Sequence, residues 1–179
     1  NTKIGVLICE DQWTEGPIAK LCQSNIDIAV SLNASPFQLN KQSERVNICK
    51  NYALKFDITF IYVNMVGGQD EVVFDGNSFI VNNQGDVSLQ LPAFKELSVS
   101  HIDTTFTPSL VSNESLIYSA IVLATKDYIQ KNTFGGALIG LSGGIDSALT
   151  LAIAVDAIGA ENVHAIMMPY QFTSDISLT

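Results

Sequence analysis

The chain has 179 residues, of which 47% are hydrophobic and 15% are charged, and its formal net charge is −9. This hydrophobic content predicts a globular chain with a buried core, of a length that fits one full domain or two incomplete ones. The nine lysines and arginines form no basic run, which argues against a nucleic-acid partner because that affinity comes largely from clustered positive charge. No stretch approaches the roughly 20 apolar residues of a membrane span, so we expect no membrane partner either.

Cysteine usage and surface charge indicate the compartment and surroundings of the chain. Cys9, Cys22 and Cys49 are odd in number and lack CxxC spacing. This pattern argues against a disulfide framework or a zinc site and favours reduced thiols in a cytoplasmic protein. The charged fraction is below the roughly 25% of an average soluble domain, which predicts that either missing parts of the same chain or a partner cover part of the surface. We therefore expect a homo-oligomer.

The first part of the sequence alternates between predicted strands and helices. In chain order these are a strand at Lys3–Ile8, a short helix beginning at Pro17, a strand at Ile26–Leu32, a helix at Lys41–Lys55 and a strand at Ile58–Val66. The strands are short apolar runs, the last of them rich in β-branched and aromatic residues, and the second helix has an apolar stripe at helical spacing. After them, the dipeptides Asp-Gly and Gln-Gly at 75–76 and 84–85 predict hairpin turns.

A polar connector, TFTPSLVSNES, follows this part and contains Pro108. We place a first domain at 1–106, a linker at 107–113 and a second domain at 114–179, with Asn113 as the cap of the next helix. The sequence starts at Asn1 directly before a strand-like run and stops in TSDISLT without a closing element. We therefore expect it to be a fragment of a longer protein.

The second part predicts a βαβ unit. An amphipathic helix after Asn113 is followed by a strand at Ala137–Leu141, a helix from about Asp146 to Ile158, and a strand at Asn162–Pro169. Two strands joined in this way are parallel, and ligands bind at the carboxyl ends of such strands.

The turn between that strand and that helix is GLSGGIDS, Gly140–Ser147. Its adjacent glycines have no Cβ, so the backbone can approach an anion, and N–H groups at a helix start favour negative charge. Its two serines add hydroxyl donors, and Asp146 could hold a Mg²⁺ that bridges phosphate oxygens. The turn therefore predicts a phosphate site, although it matches neither G-x-x-x-x-G-K-[ST] nor G-x-G-x-x-G.

Two other interpretations fit the same residues. Gly140–Gly144 satisfies G-x-S-x-G, the nucleophile elbow of α/β-hydrolases, with Ser142 as the nucleophile. An elbow needs an acid and a histidine downstream, and the only histidine after Ser142 is His164. The third interpretation is a tight turn without a ligand. Spacing alone leaves all three open.

This region resembles a known enzyme family. SGGIDS resembles the pyrophosphate loop of the N-type ATP pyrophosphatases, or PP-loop enzymes, which cleave ATP to AMP and pyrophosphate. Apart from Ile139 at its first position, the longer stretch IGLSGGIDSALTLAIAVDAIGAENVHAIMMP is similar to glutamine-dependent NAD synthetases, and TSDIS (Thr173–Ser177) resembles their mobile second loop. The resemblance implies Mg²⁺ binding by Asp146. It implies ATP binding by Gly140, Leu141, Ser142, Gly143, Gly144, Ile145, Asp146 and Ser147.

The first part carries a second resemblance. GVLICEDQW, LNASPFQLNKQSER and YVNMVGGQDEVVFDGNSF resemble the C-terminal half of the nitrilase-type amidase domain of the same synthetases. In that family a Glu–Lys–Cys triad hydrolyses glutamine through a thioester. The resemblance implies that Cys9 is the nucleophile and that Ser35 and Lys41 bind glutamine. The family's catalytic Glu and Lys lie upstream of the stretch matched here.

Together the resemblances imply an α/β architecture, the C-terminal half of a nitrilase-like α-β-β-α sandwich followed by the start of a Rossmann-like PP-loop domain of the adenine nucleotide alpha hydrolase type. They imply a ligase that uses glutamine, ATP and deamido-NAD, and that amidates deamido-NAD to NAD through an adenylated nicotinate. Three alternatives stay open: another PP-loop amide-forming ligase, a hydrolase centred on Ser142, and a catalytically silent fragment. Asp70 and Glu71 serve either the ammonia route or an interface, or they cap a hairpin.

Overall fold

The computed structural model describes residues 1–96 and 111–167, and within them the chain forms two compact units. The first contains Asn1–Gly67 and the described residues from Val73 to Leu116. The second contains Gly68–Val72 and the described residues from Ile117 onward. No helix in the described ranges has the length and hydropathy that a bilayer crossing requires.

The elements alternate much as the sequence predicts. They are β1 (Ile4–Ile8), α1 (Glu15–Cys22), β2 (Ile28–Asn33), α2 (Lys41–Phe56), β3 (Thr59–Asn64), β4 (Val66–Gln69), β5 (Val72–Asp75), β6 (Phe79–Val81), β7 (Val87–Gln90), α3 (Asn113–Lys131), β8 (Ala137–Leu141), α4 (Ile145–Ile158) and β9 (Val163–Met167).

The first unit is built on a sheet with the strand order β1-β2-β3-β6-β7. β1, β2 and β3 run parallel, and β6 and β7 continue the sheet antiparallel. Ile8 pairs with Leu32, and Leu32 pairs with Val63. The three parallel strands therefore end at the same level, which creates a common carboxyl edge.

Helices α1 and α2 cover one face of this sheet. Alternate strand residues such as Leu7, Ala29 and Phe60 pack there against Ile18 of α1 and Cys49 of α2, and all five are almost fully buried. The intervening hydrophobic residues of β1, on the opposite face, are each more than half exposed. One sheet with two helices on one face agrees with the predicted half of an α-β-β-α sandwich.

The second unit contains the βαβ arrangement that the sequence predicts. β8 and β9 are parallel, with Leu141 paired to Met167, and α4 lies between them in the chain. Gly159 ends α4 with a φ of 87°, a conformation that favours glycine. The end of β8 leads directly into the glycine turn.

Four local predictions were inaccurate. Asp75-Gly76 does not join a hairpin, because β5 pairs with β4, whereas β6 pairs with β3 and β7. α1 begins at Glu15, two residues before Pro17, because proline is tolerated within the first turn of a helix. The cap of α3 is Ser112 rather than Asn113, since the Ser112 hydroxyl accepts a hydrogen bond from the Ser115 N–H at 3.3 Å. The predicted strand Ile58–Val66 divides, with β3 ending at Asn64 and β4 starting at Val66.

Candidate functional site

Cys9 lies where β1 ends and a short 3₁₀ helix, Cys9–Gln12, begins. Its φ is 45°, in the left-handed region, and its side chain is half-buried. A non-glycine residue in this conformation costs on the order of 1–3 kcal/mol, and such residues cluster at active sites. Cys9 is therefore held by its surroundings at the carboxyl edge of the parallel strands.

The residues after Cys9 fix this turn. The Asp11 carboxylate accepts a hydrogen bond from the Ile8 N–H at 2.9 Å, and the Trp13 N–H donates to the Glu10 carbonyl. Both contacts close the backbone around Cys9. The CEDQW segment thus forms a compact corner.

Lys41 is brought to this corner from the start of α2. Its ammonium lies 4.0 Å from the centroid of the Trp13 ring and 2.7 Å from Glu44 Oε2. A cation above an aromatic face is attracted by the ring quadrupole, so the two contacts restrict the Lys41 side chain. The structure therefore places Lys41 next to the segment that contains Cys9.

Ser35 reaches the same sheet edge through Asn64, the last residue of β3. The Ser35 N–H donates to Asn64 Oδ1 at 2.8 Å, and Asn64 Nδ2 donates to the Ser35 carbonyl at 3.1 Å. Asn33 pairs with Asn64, and Cys9 directly follows Ile8, which pairs with Leu32; neighbouring strands lie about 4.8 Å apart. The edge thus unites three segments distant in sequence, which carry Cys9, Ser35 and Lys41.

Sequence reasoning missed two residues that support this edge, Arg45 and Asp75. Their side chains form a buried ion pair, with Arg45 Nη1 2.9 Å from Asp75 Oδ1. One signal could have revealed the pair: Arg45 precedes Cys49 by one helical turn and so falls on the apolar stripe of α2. Asp75 was interpreted only as a turn residue.

The glycine turn of the second unit has the geometry expected of a helix start. Gly143 has a φ of 80°, and Gly144 precedes α4 in an extended conformation. The first N–H groups of an α-helix have no acceptor within the helix, so those of Ile145 and Asp146 face outward from α4. Ile145 is 80% exposed. The turn therefore leaves backbone N–H groups uncovered at the start of α4.

Hydroxyl groups brace the turn from within. Ser142 N–H donates to Ser147 Oγ at 3.2 Å, and Ser147 Oγ donates to the Gly144 carbonyl at 2.9 Å. The Ser142 hydroxyl lies 3.2 Å from Ser147 Oγ. Ser147, predicted as a ligand donor, thus uses its hydrogen inside the turn.

The geometry does not favour an elbow at Ser142. The positive φ falls on Gly143, and Ser142 is absent from the non-glycine residues with positive φ in the described ranges, whereas an elbow strains the nucleophile itself. His164 pairs with Leu138, near the start of β8. Four residues along a strand separate it from Ser142, about 13 Å, so His164 is out of reach as a base.

Asp146 is the carboxylate closest in sequence to the glycines, in the first turn of α4. No group of three His, Cys, Asp or Glu side chains in the described ranges is arranged to hold a metal ion. One carboxylate beside a phosphate site nevertheless fits Mg²⁺, which is often bound by one or two carboxylates together with substrate phosphates. The predicted second loop, Thr173–Ser177, lies outside the described residues.

Asp70 and Glu71 form the two-residue turn between β4 and β5, as the hairpin interpretation expected. Next to them, the Gly68 N–H donates to Asp127 Oδ2 of α3 at 2.7 Å, and Lys131 Nζ donates to the Gly68 carbonyl. A Cβ on Gly68 would lie 3.1 Å from the Ala124 Cα. Gly68 is therefore closely packed against α3 in the second unit.

Comparison with known families divides the chain in the same order as its elements. Residues 1–108 match the carbon-nitrogen hydrolase family, and residues 117–179 match the NAD synthase family.

Curated relatives resemble nearly the whole chain. The glutamine-dependent NAD(+) synthetase of Acinetobacter baylyi is 46% identical over 98% of the chain, and that of Synechocystis is 40% identical over 99%. The chain spans about a third of the length of these relatives, 34% and 36%.

Solved structures agree. The glutamine-dependent NAD+ synthetase of Acinetobacter baumannii, determined in complex with ADP, superposes with a TM-score of 0.90 at 45% identity, over 99% of this chain and 35% of that one. The enzyme from Cytophaga hutchinsonii has a TM-score of 0.76 at 18% identity, over 99% and 36%, which indicates a shared fold. The chain thus belongs to the carbon-nitrogen hydrolase family through residues 1–108, and the residues 117–179 that follow are similar to the NAD synthase family.

Proposed function

We propose that this chain carries parts of both active sites of an enzyme that amidates deamido-NAD to NAD with ammonia released from glutamine. One observation carries the proposal. A strained cysteine lies at a parallel sheet edge in the segment that matches the carbon-nitrogen hydrolase family, and an exposed glycine turn lies in the later segment that matches the NAD synthase family. The free thiols of Cys9, Cys22 and Cys49 support a cytoplasmic location.

In the first step Cys9 attacks the side-chain amide carbon of glutamine. The C–N bond breaks, ammonia leaves, and water hydrolyses the thioester to glutamate. Lys41 supplies a positive charge for the substrate's α-carboxylate, since its ammonium is held beside the Cys9 corner. Ser35 supplies a hydroxyl at the same edge.

In the second step the nicotinate carboxylate of deamido-NAD attacks the α-phosphate of ATP and displaces pyrophosphate. A carboxylate is a poor electrophile, and the attached AMP gives it a leaving group. Ammonia then attacks the carbonyl carbon and AMP departs, which yields NAD. The residues Gly140–Ser147 hold the ATP phosphates through backbone N–H groups at the start of α4. Asp146 would hold the Mg²⁺, which neutralises phosphate charge when bound.

Two variants of the intact protein test the two sites separately. Cys9→Ala should abolish NAD formation from glutamine and leave NAD formation from ammonium salts intact, because ammonia bypasses the first site. Asp146→Ala should lower both reactions by at least about 100-fold, as expected for the loss of a metal-binding charge. Equal loss of both reactions in Cys9→Ala, or full activity in Asp146→Ala, would remove the corresponding assignment.

A further inference from the structure

Ser35 is enclosed by a buried polar network in the first unit. Arg45 Nη2 donates to the Ser35 carbonyl at 2.9 Å, to Ser35 Oγ at 3.0 Å and to the Pro36 carbonyl at 3.0 Å. The Ser35 N–H donates to Asn64 Oδ1, and Asn64 Nδ2 donates to the Ser35 carbonyl. The backbone and χ1 of Ser35 are therefore fixed.

Arg45 is itself held in place by Asp75. The guanidinium side chain is fully buried, and its Nη1 lies 2.9 and 3.0 Å from the two carboxylate oxygens of Asp75. Asn77 Nδ2 donates to Asp75 Oδ2 at 2.9 Å, and Asn64 Nδ2 approaches Asp75 Oδ1 at 3.4 Å. Asp75 neutralises the buried charge and sets the orientation of the guanidinium plane.

The direction of the hydrogen bond at Ser35 Oγ has a chemical consequence. Arg45 has donors only, so Ser35 Oγ accepts from it and keeps its own hydrogen for another acceptor. The buried Tyr62 hydroxyl, which makes no other hydrogen bond in the described part of the chain, is the protein group beside Ser35 that can take this hydrogen when no ligand is bound. Ser35 is 7% exposed and lies beside Asn64 at the sheet edge, so an oxygen of a ligand bound there competes with Tyr62 for this hydrogen.

We propose that Arg45, anchored by Asp75, is a positioning residue for the glutamine subsite: it makes Ser35 an obligatory hydrogen-bond donor to a carboxylate or carbonyl oxygen of glutamine. The inference rests on the proposed glutaminase function. Arg45 does not touch the substrate and acts through Ser35.

A double-variant cycle in the intact protein tests this coupling. Arg45→Lys keeps the charge, but one ammonium nitrogen replaces the two guanidinium nitrogens that contact Asp75 and Ser35 separately. It should raise the KM for glutamine about tenfold, the effect of a lost charge-assisted hydrogen bond, with kcat changed less than about twofold. In a Ser35→Ala background, the same Arg45 substitution should change KM less than about twofold. A full tenfold effect in that background, or no KM effect in the single variant, overturns the inference.

Asn64→Ser provides a second route to the same result if Arg45→Lys does not fold, because Asn64 holds Ser35 from the opposite side. It should also raise the KM for glutamine and show the same loss of effect in the Ser35→Ala background. Phe60→Leu is the matched control for general destabilisation: Phe60 is fully buried on the same strand and should leave the KM for glutamine unchanged. A KM rise in this control that equals that of Arg45→Lys contradicts a specific positioning role.

NAD formation from ammonium salts separates this inference from the proposed function. It should be the same in Arg45→Lys and the unmodified protein, since ammonia does not need the glutamine subsite. If the unmodified protein releases no ammonia from glutamine, the proposed function and this inference both fail. If the unmodified protein releases ammonia from glutamine but the effects of Arg45→Lys and Ser35→Ala on the KM are additive, only the positioning role fails.

Discussion

Removal of Asp75 should destabilise the first unit far more than removal of an exposed acidic partner. Asp75→Ala leaves the Arg45 guanidinium buried without its counter-charge, and Nη1 then has only Gln42 Oε1 at 3.5 Å as an acceptor. Breaking a buried ion pair from one side costs about 3–5 kcal/mol. Because each 1.4 kcal/mol is a factor of ten, the opening equilibrium should rise by about 100-fold to several thousand-fold.

The chain offers a matched control. Glu15 pairs with Lys55, and both side chains are about half exposed. Exposed pairs contribute about 0–1 kcal/mol, so Glu15→Ala should change the same equilibrium by less than about fivefold. The two variants differ mainly in the burial of the pair that each removes.

Hydrogen–deuterium exchange of the intact protein measures this difference. Peptides from α2 report the local opening free energy, independently of the rest of the molecule. Asp75→Ala should lose most of the protection in α2, and Glu15→Ala should retain it. The double variant Arg45→Met/Asp75→Leu should recover much of the loss, since an apolar replacement removes the buried charge itself. Equal protection in Asp75→Ala and Glu15→Ala would contradict a stabilising role of the buried Arg45–Asp75 pair.

Three further predictions concern single positions. Gly143→Ala forces a side chain into a φ of 80°, at a cost of about 1–2 kcal/mol, so the KM for ATP should rise. The control Gly135→Ala, whose Cβ meets no atom within 4 Å, should not change this KM. Equal KM values in the two variants would contradict the loop geometry. Gly68→Ala brings a Cβ to 3.1 Å from the Ala124 Cα, so the melting temperature should fall in a thermal scan. An unchanged melting temperature would contradict the close packing of Gly68 against α3. Burial raises the pKa of Tyr62 to about 12, against an opposing effect of the nearby Arg45 guanidinium. The folded pKa of Tyr62 then lies above the unfolded value, so stability present below pH 10 is lost as the pH rises toward 12. In Tyr62→Phe the urea midpoint should decline less over this pH range. An unchanged decline would contradict a contribution of the Tyr62 hydroxyl.

The sequence predicts the strands and the βαβ unit because their signals are local. Apolar runs and the glycine turn place β1, β8 and α4 within one or two residues of their observed bounds. Helix starts are less certain, since Pro17 fits either the first residue or the first turn, and both Ser112 and Asn113 are capping residues. Local chemistry alone does not choose between neighbouring candidates.

The support of the candidate site could not be predicted in the same way. Arg45 and Asp75 are 30 residues apart, and a charged residue on an apolar stripe does not reveal its partner. The contact of Gly68 with α3 spans 59 residues. Both depend on how separate segments meet in three dimensions, which no periodicity in the sequence specifies.

The proposed function requires that nitrogen released at the Cys9 site ends in the amide made at the glycine turn. Glutamine labelled with ¹⁵N in its side-chain amide tests it directly, with the intact protein, ATP, Mg²⁺ and deamido-NAD in solution. The NAD formed should be one mass unit heavier than the unlabelled product, and Cys9→Ala should form none from glutamine. Unlabelled NAD, or labelled NAD formed equally well by Cys9→Ala, would contradict it.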